Sequence, residues 1–321
     1  MLEPLGAGGM GEVYRARDQR LERDVALKVL APRLLSDERS VARFAREARA
    51  ASALNHPNIV TVYEIGSSED GAFIAMEFVR GETLTYRMKT KRDLAECVEL
   101  LRQCAAALVA AHDAGIIHRD IKPDNVMVRT DGFVKLLDFG LARLTSLDDA
   151  GSQTMTQPGL VIGTLRYLSP EQACGDPLTT ASDIFSLGIL AYQLLTGEHP
   201  FGNASEMAIM GAIITKPASR PSSVRAEIPP EIDALVLRML AKNPIERPTA
   251  VELLLQLSRF TARLDSPVAL FVANGGNPGA RVESTGTAMQ QAARPQMAQA
   301  RRLTTVGHAG ELAVLAERYE D

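Results

Sequence analysis

The chain has 321 residues, and 35 lysines and arginines against 39 aspartates and glutamates give it a formal net charge of −4. This weakly acidic balance argues against a nucleic-acid-binding protein, because phosphate contacts need clustered basic side chains. The chain shows no apolar run near the ~20 residues of a membrane span and no signal-peptide pattern at its start, and its three cysteines lack disulfide or metal-ligand spacing, which favours a reducing compartment, the cytoplasm.

Residues 1–79 have the pattern of a small β-rich region with one helix. Short apolar runs are separated by Gly, Asp, Ser and Pro, as strands require. Residues 37–54 instead carry apolar side chains at helical spacing, with Asp37 and Glu38 in the first turn, where acidic groups complement the helix dipole. The predicted strands are residues 13–14, 25–30, 59–63 and 73–79.

Residues 80–264 are predicted to be mainly helical. Apolar side chains follow helical spacing from Leu94 to Leu108, and Gly115 is placed to end that helix. Two of the cysteines lie on its apolar face, which favours a packing role for them. Two short apolar runs flank Asp131 and Gly132, a sequence typical of a β-hairpin turn. Further buried helices are predicted at residues 185–195 and 232–240.

A glycine-rich loop lies between the first two predicted strands, with glycines at 6, 8 and 11. A dinucleotide site would need a helix to begin at these glycines, but here a strand continues from Val13. The pattern is therefore strand, loop, strand. On this segment alone, a loop that folds over a phosphate and a structural turn are about equally favoured.

Lys28 lies on an otherwise apolar strand, and a buried charge without a partner is costly. Either the side chain reaches solvent at a sheet edge, or it binds a phosphate and is oriented by a carboxylate. Glu47, in the middle of the predicted helix, is the candidate carboxylate.

A polar loop at residues 118–125, followed by Asp138, carries four groups with catalytic chemistry. Asp120 can accept the proton of a hydroxyl nucleophile. Asn125 and Asp138 can supply the hard oxygen ligands that a magnesium–nucleotide complex needs. A solvated cluster of charges would not explain why these segments follow the glycine loop and Lys28 in this order.

Together these ordered motifs, over about residues 4–264, resemble the eukaryotic-type (Hanks-type) serine/threonine protein kinases of bacteria. The resemblance implies an α+β, bilobal protein kinase fold. A small antiparallel β-sheet lobe with one major helix would span residues 1–79, and a larger, mainly α-helical lobe would span residues 80–264.

The resemblance also implies roles in a reaction that uses ATP and Mg²⁺. Asp120 would orient the substrate hydroxyl and accept its proton, and Lys122 would neutralise the γ-phosphate and mark the serine/threonine class. Lys28 would hold the α- and β-phosphates and pair with Glu47. Asn125 and Asp138 would bind the metal. The nucleotide would contact Leu5, Gly6, Ala7, Gly8, Gly9, Met10, Gly11, Val13, Ala26, the gatekeeper Met76, and the backbones of Glu77 and Val79.

Residues 163–171 resemble the end of an activation segment. Thr164 would contact the catalytic loop, Glu171 would pair with Arg247 as scaffold, and Asp183 would brace the catalytic loop through backbone amides. Thr156, and secondarily Thr154, is the predicted site of activating autophosphorylation, since an added phosphate can order a loop against arginine.

Three departures from the family pattern are visible. Pro4 has no backbone N–H to donate to a strand ladder, so the first strand is expected to be short. Either the true start of the chain lies upstream, or the loop over the nucleotide is weakly anchored. Ser169 replaces the usual alanine before Pro-Glu, and Phe185 replaces the usual tryptophan. None of them removes a catalytic group.

Two other functions stay open. A pseudokinase-type binding module is disfavoured by the full set of catalytic groups. A kinase for a small molecule is disfavoured by the peptide-docking floor at residues 163–171. The expected partners are protein substrates, with no nucleic acid and no membrane span, and a dimer through the smaller lobe.

After residue 264 the composition changes. Residues 265–302 are rich in Gly, Ala, Gln, Pro and Ser and are predicted to be a flexible linker. Residues 303–321 faintly resemble the opening of an ATPase-type domain, and a disordered tail is an equally good interpretation.

Overall fold

The computed structural model describes residues 3–8, 11–30, 49, 51–68, 71–90, 92–139 and 164–264. Several predictions fall outside this part of the chain. They concern Glu47 and most of the helix at 37–54, Gly9 and Met10, the phosphorylation sites Thr154 and Thr156, and the tail from residue 265.

A five-stranded antiparallel sheet forms the smaller lobe, in the order β1-β2-β3-β5-β4. Its strands are β1 (Glu3–Gly8), β2 (Gly11–Asp18), β3 (Arg23–Leu30), β4 (Val62–Ser68) and β5 (Gly71–Glu77). The β2–β3 register pairs Val13 with Lys28, and the β3–β5 register pairs Ala26 with Met76. The predicted glycine loop and the strand that carries Lys28 are therefore direct neighbours.

β1 has six residues, an ordinary strand length, so the first strand is not short as predicted from Pro4. Pro4 itself pairs with Tyr14, and the register with β2 shifts between Pro4 and Gly6, so Leu5 lies at an irregularity of the ladder.

The larger lobe is helical and also carries a small three-stranded sheet. The sheet consists of β6 (Gly81–Thr83), β7 (Val126–Arg129) and β8 (Val134–Leu136), and Gly132 has a positive φ of 84° in the β7–β8 turn, which confirms the predicted hairpin. The described α-helices are α1 (Leu84–Arg87), α2 (Leu94–Asp113), α3 (Pro170–Cys174), α4 (Thr180–Thr196), α5 (Glu206–Thr215), α6 (Pro230–Met239) and α7 (Ala250–Leu264).

The strand predicted at residues 59–63 is wrong in its first half, since β4 begins only at Val62. The preceding segment pairs with β8 of the larger lobe instead. The Val60 N–H donates to the Leu136 carbonyl at 2.9 Å, and the Leu136 N–H donates to the Asn58 carbonyl at 2.8 Å. This segment therefore ties the two lobes together behind the site.

The core of the larger lobe is built on α4, whose side chains are almost all buried. Gly188 lets α6 approach, because a Cβ there would lie 2.9 Å from the Cβ of Met239. The two cysteines of α2 are buried, as predicted, and burial raises the pKa of Cys97 to about 11 and that of Cys104 to about 12. Among the described helices, none has the length and apolar character that crossing a membrane requires.

Candidate active site

The polar loop at residues 118–125 is held by one carboxylate of the larger lobe. Asp183, in the first turn of α4, is only 1% exposed. Its Oδ2 accepts from the His118 N–H and its Oδ1 accepts from the Arg119 N–H, both at 2.8 Å. His112 of α2 lies 2.8 Å from the same Oδ2 through Nε2. The predicted bracing of this loop by Asp183 is confirmed.

His118 links the loop to the segment that follows β8. Its Nε2 donates to the Leu137 carbonyl at 2.8 Å, and its Nδ1 accepts from the Asp120 N–H at 3.3 Å. One neutral tautomer satisfies both contacts. The ring also lies 4.4 Å from the ring of Phe139. Because His118 is fully buried, these contacts fix the loop and the Asp138–Phe139 segment relative to each other.

The structure brings three predicted site residues together at Asp120. Oδ2 of Asp120 accepts from Nζ of Lys122 at 2.7 Å and from Nδ2 of Asn125 at 2.8 Å. Asn125 also donates to the Asp120 carbonyl at 2.8 Å. Because its amide nitrogen makes both contacts, the Oδ1 atom of Asn125 is left as an acceptor for a ligand from outside the loop.

Lys28 finds its partner 110 residues along the chain. Its Nζ lies 2.9 Å from Oδ2 of Asp138, and the exposed fractions of the two side chains are 6% and 24%. Asp138 has a φ of 57°, in the left-handed region that a residue with a Cβ seldom adopts. The expected partner Glu47 lies outside the described residues, so its pairing with Lys28 stays a prediction.

Of the loop glycines, Gly6 and Gly8 lie in β1 and Gly11 begins β2, and Gly8 pairs with Gly11. Gly11 has a φ of 136°, and a Cβ there would meet the Val29 carbonyl oxygen at 1.9 Å, so the fold itself requires glycine. At Gly6 a Cβ would have nothing within 4 Å. The fold thus leaves open space beside Gly6, where a phosphate could approach the backbone.

An apolar cluster joins the sheet of the smaller lobe to the β7–β8 region of the larger lobe. The predicted nucleotide residues Val13, Ala26, Met76 and Val79 belong to one apolar cluster, and Met127 and Leu137 pack against it from the larger lobe. The sequence analysis missed these last two. A signal existed for Met127, which is a large apolar residue on the opposite face of β7 from the buried Val126 and Val128.

The chain that connects the two lobes carries Glu77 and Val79, whose backbones were predicted to contact the nucleotide. The Glu77 N–H donates to the Thr61 carbonyl at 2.8 Å, and the Glu77 carboxylate lies 2.7 Å from Nζ of Lys135. Val79 is buried, and its backbone N–H and C=O make no hydrogen bond to any described residue. A flat ligand with its own donors and acceptors would satisfy these two groups.

Over residues 1–257 the chain matches the family described as "Protein kinase domain". The chain belongs to this family.

Curated relatives of this kinase domain come from bacteria. The chain is 47% identical over 257 residues to the serine/threonine-protein kinase pkn3 of Myxococcus xanthus, over 77% of this chain and 47% of that protein. It is 46% identical over 264 residues to the serine/threonine-protein kinase PknB of Mycolicibacterium smegmatis, over 80% of this chain and 42% of that protein. The chain thus spans less than half the length of these two relatives.

A solved structure shares the fold. The crystal structure of a cysteine-to-alanine variant of the Mycobacterium tuberculosis PknI kinase domain superimposes with a TM-score of 0.63 at 28% identity, over 81% of this chain and 94% of that one. Both the relatives and this neighbour confirm the bilobal kinase fold expected from the motifs.

Glu171 and Arg247 form the buried ion pair that the family resemblance implied. Arg247 and Glu171 form two parallel hydrogen bonds of 2.7 and 2.9 Å. Burial favours a raised pKa for Glu171, but hydrogen bonds from Arg247 and Ser182 outweigh it and hold the pKa below its ordinary value. Because the other hydrogen bonds of Arg247 all go to backbone carbonyls, the pair is part of the scaffold.

A buried histidine contacts the segment predicted to dock peptides. His199 donates from Nε2 to the Arg166 carbonyl at 2.9 Å, in the 3₁₀ turn Thr164–Tyr167. Burial lowers the pKa of His199 to about 4. The side chain of Thr164 lies outside the described part of the structure, so its contact with the catalytic loop stays a prediction.

Proposed function

We propose that the chain is an ATP- and magnesium-dependent protein kinase that transfers the γ-phosphate of ATP to serine and threonine hydroxyls. One observation carries the proposal. Lys28 and Asp138 form one group of polar side chains, and Asp120, Lys122 and Asn125 form a second. Leu137 joins both groups to the apolar cluster, since it packs against that cluster, precedes Asp138 and donates its N–H to the Asn125 carbonyl at 2.9 Å.

The donor set suits Mg²⁺, which prefers oxygen ligands and usually binds through one or two carboxylates together with substrate phosphates. Asp138 offers a partly exposed carboxylate, and Asn125 offers the carbonyl oxygen that its own hydrogen bonds leave available. When bound, the metal would offset the negative charge of the nucleotide phosphates. The described residues contain no group of three His, Cys, Asp or Glu side chains that could hold a metal without such phosphates.

The residues of the chain would each perform one task. Lys28 would bind the α- and β-phosphates through its ammonium group, which Asp138 already orients. Val13, Ala26, Met76 and Met127 would enclose the adenine ring, and the backbone of Val79 would hydrogen-bond to its edge.

At the catalytic loop, Asp120 would accept a hydrogen bond from the substrate hydroxyl and take its proton as the phosphate is transferred. Lys122 lies 2.7 Å from the same carboxylate and would place positive charge beside the γ-phosphate. Both residues act by positioning and charge, since phosphoryl transfer asks little covalent chemistry of the protein.

Three peptides of one sequence that differ only in the acceptor residue test this function. The full chain with Mg²⁺ and labelled ATP is expected to phosphorylate the serine and threonine peptides and to leave the tyrosine peptide at background. Nucleotide binding without any transfer would support a binding module. Transfer only to small hydroxyl compounds would support a small-molecule kinase.

Autophosphorylation of Thr156, and secondarily Thr154, remains part of the proposal. Mapping of phosphosites on active protein tests it, and two unmodified threonines would refute it. The cytoplasm also remains our proposed location, with support from three cysteines that are all free thiols. A dimer through the smaller lobe and a further domain after residue 302 stay predictions.

A further inference from the structure

Gln172, on the short helix α3, contacts the catalytic loop across 53 residues of sequence. Its Nε2 donates to the Arg119 carbonyl at 2.8 Å. Its Oε1 accepts from the Ser169 N–H at 2.9 Å, and its own N–H donates to Oγ of Ser169 at 3.3 Å. The last two contacts form a capping box that begins α3. The hydrogen bond to the Arg119 carbonyl is not part of this capping box, so capping does not explain it.

Arg119 has a strained backbone that such a contact would support. Its φ of 68° lies in the left-handed region, which is unfavourable for a residue with a Cβ. Asp183 holds its N–H through Oδ1 at 2.8 Å, and Gln172 holds its carbonyl at the same distance. Both sides of this strained residue are therefore fixed by side chains from different helices.

The carbonyl that Gln172 binds belongs to the peptide unit that leads into Asp120. Rotation of this unit would turn the Asp120 Cα and move its carboxylate away from Lys122 and Asn125. Small displacements of a reacting group cost rate, because transfer needs a near-attack geometry.

We infer that Gln172 is a positioning residue for Asp120, which acts by fixing the carbonyl of Arg119. This inference rests on the proposed kinase function. It predicts that loss of the hydrogen bond lowers kcat and leaves the KM for ATP unchanged, since Gln172 makes no hydrogen bond to Lys28 and does not belong to the apolar cluster. One neutral hydrogen bond corresponds to a decrease of roughly three- to tenfold.

Two substitutions separate positioning from helix capping. Gln172→Glu keeps an oxygen for the Ser169 N–H, and glutamate is a usual residue at this place in a capping box, but it removes the donor to Arg119. Ser169→Ala removes the cap and leaves the Gln172 donor in place. Gln172→Met, similar in shape and uncharged, removes both contacts and controls for the added charge of glutamate.

The experiment measures kcat, the KM for ATP and the melting temperature of the full chain and its three variants, with a serine peptide as acceptor. We expect Gln172→Glu and Gln172→Met to lose roughly three- to tenfold in kcat at unchanged KM, and Ser169→Ala to melt a few degrees lower than the wild type. Ser169→Ala measures only the stability that the cap contributes, since Ser169 lies in the predicted peptide-docking segment.

A wild-type kcat in Gln172→Glu and in Gln172→Met, with a melting temperature lowered in Gln172→Met as in Ser169→Ala, would assign Gln172 to helix capping and overturn the inference. A rise in the KM for ATP in parallel with the loss of kcat would also overturn it. If the wild type transfers no phosphate to any peptide, the proposed function itself fails, which is a different result from either of these.

Discussion

Substitution of Arg247 tests the buried scaffold under the site. All five N–H groups of its guanidinium donate. Two bind Glu171 at 2.7 and 2.9 Å, and the other three bind carbonyl oxygens at 2.8, 2.8 and 3.0 Å. The side chain is 0% exposed and that of Glu171 is 7% exposed. The three carbonyls belong to Ala181, Ala241 and Lys242.

Arg247→Ala would leave the Glu171 carboxylate buried without its partner. Breaking a buried ion pair in this way costs about 3–5 kcal/mol. At roughly 2–4 °C per kcal/mol for a domain of this size, the melting temperature is expected to fall by about 6–20 °C. Arg247→Lys is expected to fall in the lower part of that range, since lysine keeps the charge but has only three donors.

Thermal unfolding followed by circular dichroism at pH 7 measures this effect. Arg263→Ala is the matched control, because Arg263 forms a 3.6 Å pair with Glu231 in which both side chains are mostly exposed. Such a pair is worth at most about 1 kcal/mol. If Arg247→Ala melts no lower than this control, the buried pair does not hold the larger lobe and the reasoning is refuted.

The remaining predictions concern the glycine loop and the loss of folding stability at low pH. Gly11→Ala is expected to destabilise the fold by about 1–3 kcal/mol, since its Cβ would meet the Val29 carbonyl. Gly6→Ala is expected to keep the wild-type melting temperature and to raise the KM for ATP. Equal melting temperatures for the two variants would contradict this. Burial in the folded state lowers the pKa of His199 to about 4, against an ordinary value of 6.5. The stability that the neutral ring contributes to folding is therefore full above pH 6.5 and is lost as the pH falls towards 4. The wild type should therefore lose about 2 kcal/mol more than His199→Gln between pH 7 and pH 5, and parallel pH profiles of the melting temperature would refute this.

Local pattern was enough to predict most of the described helices and strands, whereas most candidate site residues came from the family resemblance. The helix from Leu94, the hairpin at Gly132 and the strand of Lys28 follow from periodicity and turn chemistry, which act over a few residues. The predicted Glu171–Arg247 pair and the bracing role of Asp183 came from the family resemblance, and the structure confirms both contacts.

What escaped prediction depends on pairing across long stretches of chain. The contact of Lys28 with Asp138 spans 110 residues, and that of Gln172 with Arg119 spans 53. Residues 59–61 were predicted as part of a strand because their apolar run continues into β4, yet the backbone hydrogen bonds of Val60 and of the preceding Asn58 go to β8. No local pattern distinguishes these partners, since only the packing of the two lobes brings them together.

The central claim is that Asp120 accepts the proton of a substrate hydroxyl. The most direct test compares transfer of labelled γ-phosphate to a serine peptide by the wild type, Asp120→Asn and Asp131→Asn. Asp131 is an exposed carboxylate of the β7–β8 turn, 2.7 Å from Arg129, and serves as the matched control. The account predicts a loss of at least about 100-fold for Asp120→Asn, with unchanged ATP binding, and wild-type transfer by Asp131→Asn. Retention of more than about a tenth of the wild-type rate by Asp120→Asn would contradict it, because loss of a general base costs at least about 100-fold.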